Sequence, residues 1–198
     1  MSTVVVIYHT GFGHTRVQAE RVAAGAGGVT GVEAKLISVD ELPPAENGGA
    51  LSGRWDELND ADAIIFGCPT YMGGPSAAMK AFMETSSAVW GRQGWKDKIS
   101  AGFTNAGALS GDKLNTLTSL ALFAAQHSMI WVSQGLFYSE DQDPGSEGAI
   151  NRMGSWLGAM SQSENAPPDQ TPGAADLKTA ELFGTRVAEA TQRWIRGG

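Results

Sequence analysis

The sequence predicts an open, doubly wound α/β sheet of five parallel strands with helices on both faces, on three observations. Short runs of β-branched and aliphatic residues recur at 4–8 (Val-Val-Val-Ile-Tyr), 63–67 (Ala-Ile-Ile-Phe-Gly) and 99–104. Runs of this kind suit strands buried on both sides. Segments with helical spacing alternate with them, as expected of parallel strands joined by crossovers. Loops rich in Gly, Thr, Asn and Pro follow the first, third and fourth strands, and right-handed crossovers place those loops on one edge of the sheet.

The elements follow in order. After the strand at 4–8, residues 14–24 read as a helix that opens directly on the strand's exit loop. Residues 32–39 alternate well enough for a second strand. The link 40–60 carries Pro43-Pro44, Gly48-Gly49 and Gly53, so it reads as irregular, with one short helical piece at 54–59. The third strand, 63–67, runs into Cys68-Pro69-Thr70-Tyr71-Met72-Gly73-Gly74-Pro75. Pro75 suits the first turn of a helix, whose face would then carry Met79, Phe82 and Met83. A fourth strand at 99–104 ends in a loop of small residues. Leu114, Leu117, Ala121 and Ala124 keep helical spacing up to Gln126-His127, and 129–133 makes a fifth strand. Residues 134–173 are rich in Gly, Pro, Ser and acids, with a short amphipathic element at 149–160. So long a stretch in a compact domain points to function or an interface. Leu177, Leu182, Val187, Trp194 and Ile195 mark a closing helix. One domain over residues 1–198 accounts for the pattern.

The first exit loop, His9-Thr10-Gly11-Phe12-Gly13-His14-Thr15, is built for an anion. A helix start offers unpaired amides and a positive dipole end, which favour phosphate. A P-loop would end in Gly-Lys-Ser/Thr, and no lysine stands here. A dinucleotide fingerprint would need a third small residue where Arg16 stands, with Asp40 as its acid; it stays open on this pattern alone. A hydroxyl-rich loop that wraps a phosphomonoester fits Thr10, His14 and Thr15 better. The second loop adds Thr70, Tyr71 and Met72, and the third adds small residues that admit a flat ligand. Apolar contacts on two faces with amide donors along one edge are what an isoalloxazine ring needs.

Composition bounds the possibilities. With 14 basic and 21 acidic residues the net charge is −7, which argues against broad contact with nucleic acid. No apolar run reaches membrane-spanning length and the N-terminus enters a strand without a signal-like leader, so the expected location is cytoplasmic, with no membrane insertion. Cys68 is the only cysteine; an internal disulfide is excluded, no metal site is expected, and a thiol just after a buried strand is expected to be inert. His14, at a helix start, is expected to be structural, and His9 no more than loop.

Val-Val-Val-Ile-Tyr, Gly-Phe-Gly-His, then Ala-Ile-Ile-Phe-Gly-Cys-Pro-Thr-Tyr-Met-Gly and Met-Lys-Ala-Phe-Met-Glu-Thr with Trp90 downstream resemble the tryptophan-repressor-binding-protein-like NAD(P)H:quinone oxidoreductases. The resemblance spans nearly the whole chain and is most specific over 63–90. It implies a flavodoxin-like fold with strand order 2-1-3-4-5, FMN as cofactor, NAD(P)H as donor, a quinone as acceptor, two-electron transfer by ping-pong exchange, and assembly as a homo-oligomer, a tetramer or dimer. Carried across, the FMN phosphate would lie on Thr10, Gly11, Phe12, Gly13, His14 and Thr15. The ring would be bounded by Pro69, Thr70, Tyr71, Met72 and Gly73, and by Thr104, Asn105, Ala106, Gly107, Ala108, Leu109 and Ser110. Gln126 stands where the family has a flavin-contacting histidine. Phe12 matches the position that meets the nicotinamide, Trp90 walls the substrate side, and His127, beside Gln126, is carried across to the same substrate and nicotinamide set.

The chain departs from the family pattern in three places. Tyr71-Met72 replaces Arg-Phe, which removes a cation. The third loop is poorer in Gly and Thr. Gln126-His127 replaces a His-His pair, so a proton-carrying group is lost. A one-electron carrier, and a non-enzymatic domain that binds a nucleotide or a protein partner, are the competing functions. Trp90, Trp95, Phe137, Tyr138 and Trp156 lie in or beside irregular segments, where they are candidates for interfaces.

Overall fold

The computed structural model describes residues 1–43, 45 and 50–197; Pro44, Gly48 and Gly49 of the expected irregular link lie outside them. In chain order the elements are β1 (Ser2–Tyr8), α1 (His14–Gly27), β2 (Val32–Ser38), a short 3₁₀ turn (Val39–Glu41), α2 (Arg54–Asp60), β3 (Ala63–Tyr71), β4 (Gly74–Pro75), α3 (Ala77–Thr85), α4 (Ser87–Gly91), β5 (Ile99–Ala106), α5 (Lys113–Gln126), β6 (Ile130–Trp131), β7 (Ala159–Gln162) and α6 (Ala174–Gly197).

The main path of the sheet runs β2-β1-β3-β5-β6, parallel throughout. Counted by the five strands expected from sequence, that is the order 2-1-3-4-5. The side chains of β1 alternate between two cores. Val5 and Ile7 pack with Trp55, Leu58, Met79, Phe82, Trp95, Leu120 and Phe123, beneath α2 to α5. Val4, Val6 and Tyr8 pack with Ala19, Val22, Phe183 and Val187, beneath α1 and α6. Helices α1 and α6 approach closely because Gly25 and Gly184 leave no room for a Cβ: one added at Gly25 would meet the Glu181 carbonyl, and one at Gly184 the Val22 carbonyl. Thr185 Oγ1 donates to the Gly25 carbonyl across the same seam at 3.0 Å.

Several local expectations are corrected. Cys68, Pro69, Thr70 and Tyr71 continue β3 instead of leaving it. Pro75 does not start a helix; it pairs with Thr70 in a tight hairpin, and α3 begins two residues later. The hairpin turns on Met72 and Gly73, both at positive φ (48° and 81°), the geometry of a two-residue primed turn. The expected fifth strand contracts to β6, opposite Ile99 and Ser100. Its edge is completed by β7, which runs parallel to Phe103–Ala106. Residues 132–158 are thus an excursion between two halves of one edge, and 149–160 forms no helix. Leu114 faces outward on α5, as do Trp194 and Ile195 on α6. Trp95 is fully buried among Phe66, Phe82 and Phe123, so it belongs to the core and not to an interface.

Candidate cofactor site

Strand order reverses between β1 and β3, and the exit loops of β1, β3 and β5 meet there, as expected for ligand sites in such sheets. They surround a cavity of about 600 Å³ lined by Thr10, Gly11, Phe12, His14, Thr15, Pro69, Thr70, Tyr71, Asn105, Ala106 and Gly107. Its size falls within the range of small-molecule sites.

The first loop folds on itself and hands over to α1. Thr10 Oγ1 accepts the Gly13 amide at 3.0 Å, which leaves its own proton free to donate. Gly13 is the N-cap with φ 95°, and its α-face packs on Pro168. The first hydrogen bond of the helix runs from Val17 to the Gly13 carbonyl, so the amides of His14, Thr15 and Arg16 have no acceptor within the helix. Amides left open at a helix start, beside a hydroxyl, favour an anion. Among the described residues, neither Lys nor Arg lines the cavity, and one carboxylate, Glu164, does. An anion here would therefore be held by dipoles.

The second and third loops rest on buried polar chains. Thr70 Oγ1 bonds Thr104 Oγ1 at 2.9 Å and Thr116 Oγ1 at 2.8 Å, and Thr104 Oγ1 donates to the Cys68 carbonyl at 2.7 Å. The Thr70 hydroxyl is therefore committed below the floor, and Thr104 does not line the cavity. Asn105 is likewise engaged: its Nδ2 donates to Ser163 Oγ and its Oδ1 accepts from Ser161 Oγ, both at 2.9 Å. The Ser163 and Glu164 amides then bond the Ala106 and Gly107 carbonyls.

These bonds bring in a fourth wall that sequence reasoning missed. Ser163, Glu164, Asn165, Ala166, Pro167 and Pro168 line the cavity opposite the first loop. His14 Nε2 donates to the Ala166 carbonyl at 2.8 Å, so this histidine ties the first loop to the fourth, the structural part expected of it. Asn165-Ala166-Pro167-Pro168 is a turn signal, but nothing local says which edge it reaches.

Other expected site residues stand elsewhere. Met72 and Gly73 form the hairpin turn, and neither they nor Gly13 line the cavity. The Ala108 carbonyl accepts from Lys113 Nζ at 3.2 Å. Leu109 and Ser110 line a second cavity, of about 970 Å³, on the far side of the third loop. Trp90, Gln126 and His127 line a separate groove between α3, α4 and α5. His127 is a core residue. It is 2% exposed, Nε2 lies 2.9 Å from Ser86 Oγ, and the ring packs on Trp95 and Phe123. Burial pushes its pKa down to about 4, so the ring stays neutral near neutral pH. Cys68 is buried, and its thiol is pushed up to about 12 by burial. Among the described residues no cluster of His, Cys, Asp and Glu could hold a metal, and no helix is long and apolar enough to cross a membrane.

A helix start with open amides, with a shallow, small-residue slot beside it at the switch point of a parallel sheet, is the layout of a flavodoxin-type fold. Comparison with known proteins gives the family. Residues 9–143 match the NADPH-dependent FMN reductase family. Flavodoxin FldP of Pseudomonas aeruginosa is 37% identical over 98% of both chains. An NAD(P)H dehydrogenase (quinone) of Archaeoglobus fulgidus is 34% identical over 98% of this chain and 99% of its own. The crystal structure of a flavodoxin, WrbA-like protein from Agrobacterium tumefaciens is 42% identical, with a TM-score of 0.73, over 98% of this chain and 99% of that one. The chain belongs to the NADPH-dependent FMN reductase family and has a WrbA-like flavodoxin fold; FMN-dependent oxidoreductase chemistry with a nicotinamide donor goes with that membership.

Proposed function

We propose that the protein is an FMN-dependent NAD(P)H:quinone oxidoreductase working by two-electron ping-pong exchange. The observation that carries this reading is the cavity itself: a dipole-lined anion seat continuous with a slot walled by Gly107, Ala106 and the backbone of Pro69 to Tyr71. FMN bound there would supply the hydride chemistry. The chain's own work is binding and orientation. The first-turn amides of α1 and the Thr10 hydroxyl hold the phosphate, while the buried chains under Thr70 and Asn105 keep the two ring-side loops from shifting. Phe12 stands at the rim with three quarters of its surface exposed, where it can stack on an incoming nicotinamide and release it. No described side chain at the cavity is needed as a covalent catalyst.

The same reading assigns the protein to the cytoplasm and to a homo-oligomer, tetramer or dimer. Its support is apolar surface that one chain leaves uncovered: Trp90, Leu122, and a cluster in which Phe137 stacks on Tyr138 and meets Trp156 edge-on. We place the substrate contact of Trp90 and the flavin contact of Gln126 in such an assembly, since within one chain both line a groove separate from the cavity.

An absorbance scan of the purified protein, followed by FMN titration and steady-state NADH and NADPH oxidation with a benzoquinone, tests the reading. Stoichiometric FMN and parallel double-reciprocal lines are expected. FMN binding without nicotinamide oxidation would instead favour a one-electron carrier, and no FMN binding at all would refute the flavin site.

A further inference from the structure

Tyr71, the last residue of β3, reaches over the cavity mouth to the first loop. Its phenol Oη lies against the Gly11 backbone, where a Cβ at residue 11 would collide with it. Its ring also carries Phe12 edge-on, with centroids 6.3 Å apart at 73°. The tyrosine is anchored from behind. Asn115 on α5 donates to the Gly73 carbonyl at 2.6 Å, and the primed turn at Met72 and Gly73 fixes the hairpin direction. A rigid hairpin on one side of the cavity thus grips a glycine loop on the other.

We propose that Tyr71 is a positioning residue that latches the phosphate loop through Gly11 and so sets how slowly the bound mononucleotide leaves. The proposal rests on the FMN reading given above. With no cation at the seat, retention depends on amides held in place, and the Gly11 segment is the part of the loop between Thr10 and the N-cap. Breaking the Tyr71–Gly11 contact frees that segment and opens the mouth, while the His14–Ala166 bond on the opposite wall is untouched.

Two variants separate the latch from general damage. Tyr71→Phe removes the hydroxyl and keeps the ring that supports Phe12. Gly11→Ala evicts the phenol by collision with the far end of a movable side chain; residue 11 has no positive φ, so alanine is not strained there. FMN release is followed by the recovery of free-flavin fluorescence after large dilution of the loaded protein. Each variant should release FMN about three- to tenfold faster, the order expected for the loss of one packed polar contact. The double variant should be no faster than either single one, because both remove the same contact. Exchange of the Gly11 amide with deuterium in the apoprotein should quicken by a similar factor in Tyr71→Phe. A Tyr71→Phe release rate within twofold of the parent, or rates that multiply in the double variant, overturns the latch. A parent protein that binds no FMN sinks the flavin reading, and Gly11 exchange then decides the latch by itself: unchanged exchange in Tyr71→Phe refutes it.

Discussion

Arg152 and Asp176 offer the sharpest test of how the cavity's fourth wall is held. The two side chains are 7% and 2% exposed and meet in a two-point contact at 2.8 and 3.0 Å. Asp176 Oδ2 also accepts the Gln162 amide at 2.9 Å, and Arg152 Nη2 reaches Gln162 Oε1 at 3.2 Å. The pair therefore clamps the first turn of α6 to the end of β7, from which 163–168 leaves for the cavity. Arg152→Met strands a buried carboxylate and should cost about 3–5 kcal/mol. With a urea m-value of about 2–3 kcal/mol/M, the unfolding midpoint should fall by roughly 1–2.5 M. Arg152→Met/Asp176→Leu removes both charges, and what remains is an orphaned Gln162 amide, worth about 1–3 kcal/mol. The double variant should thus be more stable than Arg152→Met. Urea melts followed by far-UV circular dichroism measure this. A double variant as damaged as the sum of its singles would show that each residue acts through independent contacts, and the clamp would be refuted. In the FMN titration Arg152→Met should also bind more weakly than the parent, since the 163–168 wall loses its anchor.

Three further outcomes follow from buried groups. His127, held near 4 against an ordinary 6.5, binds its proton more weakly folded than unfolded. Stability should then fall as pH drops from 6.5 towards 4, by at most about 3 kcal/mol, and a pH series of urea melts on His127→Gln should lack that slope. Lys113 is fully buried with Nζ on the Ser161 carbonyl at 2.9 Å and no carboxylate in contact; burial brings it from 10.5 down to about 8. The unfolded chain therefore holds more protons between those values, and stability should rise from pH 8 to 10.5, a rise that Lys113→Met loses. Cys68 should stay unmodified by a disulfide reagent at pH 8 in the folded protein and react at once in denaturant; fast labelling of the native form would refute its burial.

The parts of the fold legible in the sequence are those with local causes. Continuous apolar runs fall on β1, β3 and β5 because these strands are buried on both faces. Gly13 and the hydroxyls around it mark the anion seat because a helix start needs such residues whatever lies elsewhere. Other features depend on distant partners. Ala159-Met160-Ser161-Gln162 has little intrinsic strand preference, and it is a strand because Phe103–Ala106 leaves its edge unpaired beyond β6. Leu114 keeps helical spacing with Leu117 yet faces out, since spacing alone gives a period and not its phase. Pro75 fits a helix start as well as it fits a hairpin, and only the pairing with Thr70 decides. Trp95 and Trp90 are alike in the sequence, but the ring stack with Phe82 claims the first, and the second stays at the surface.

The two halves of the site differ in how they are specified. The first loop of the proposed site is written in seven consecutive residues, whereas the facing walls depend on register between strands far apart in sequence. Hydrophobic patterning cannot set that register for β7, whose buried residues, Ala159 and Ser161, are small. The polar pairs do so instead. A slip of one residue would turn Ser161 away from Asn105 and leave two buried polar groups unpaired, each costing about 1–3 kcal/mol. It would also point Ser163, the second partner of Asn105, out of the core. Since Ser163 begins the fourth wall, the same bonds that choose the register deliver Ala166 to His14 and Pro168 to Gly13. Substitution of Asn105 by an apolar residue of similar size should therefore loosen the edge strand and the mononucleotide site together, while the seat at the start of α1 keeps its local geometry.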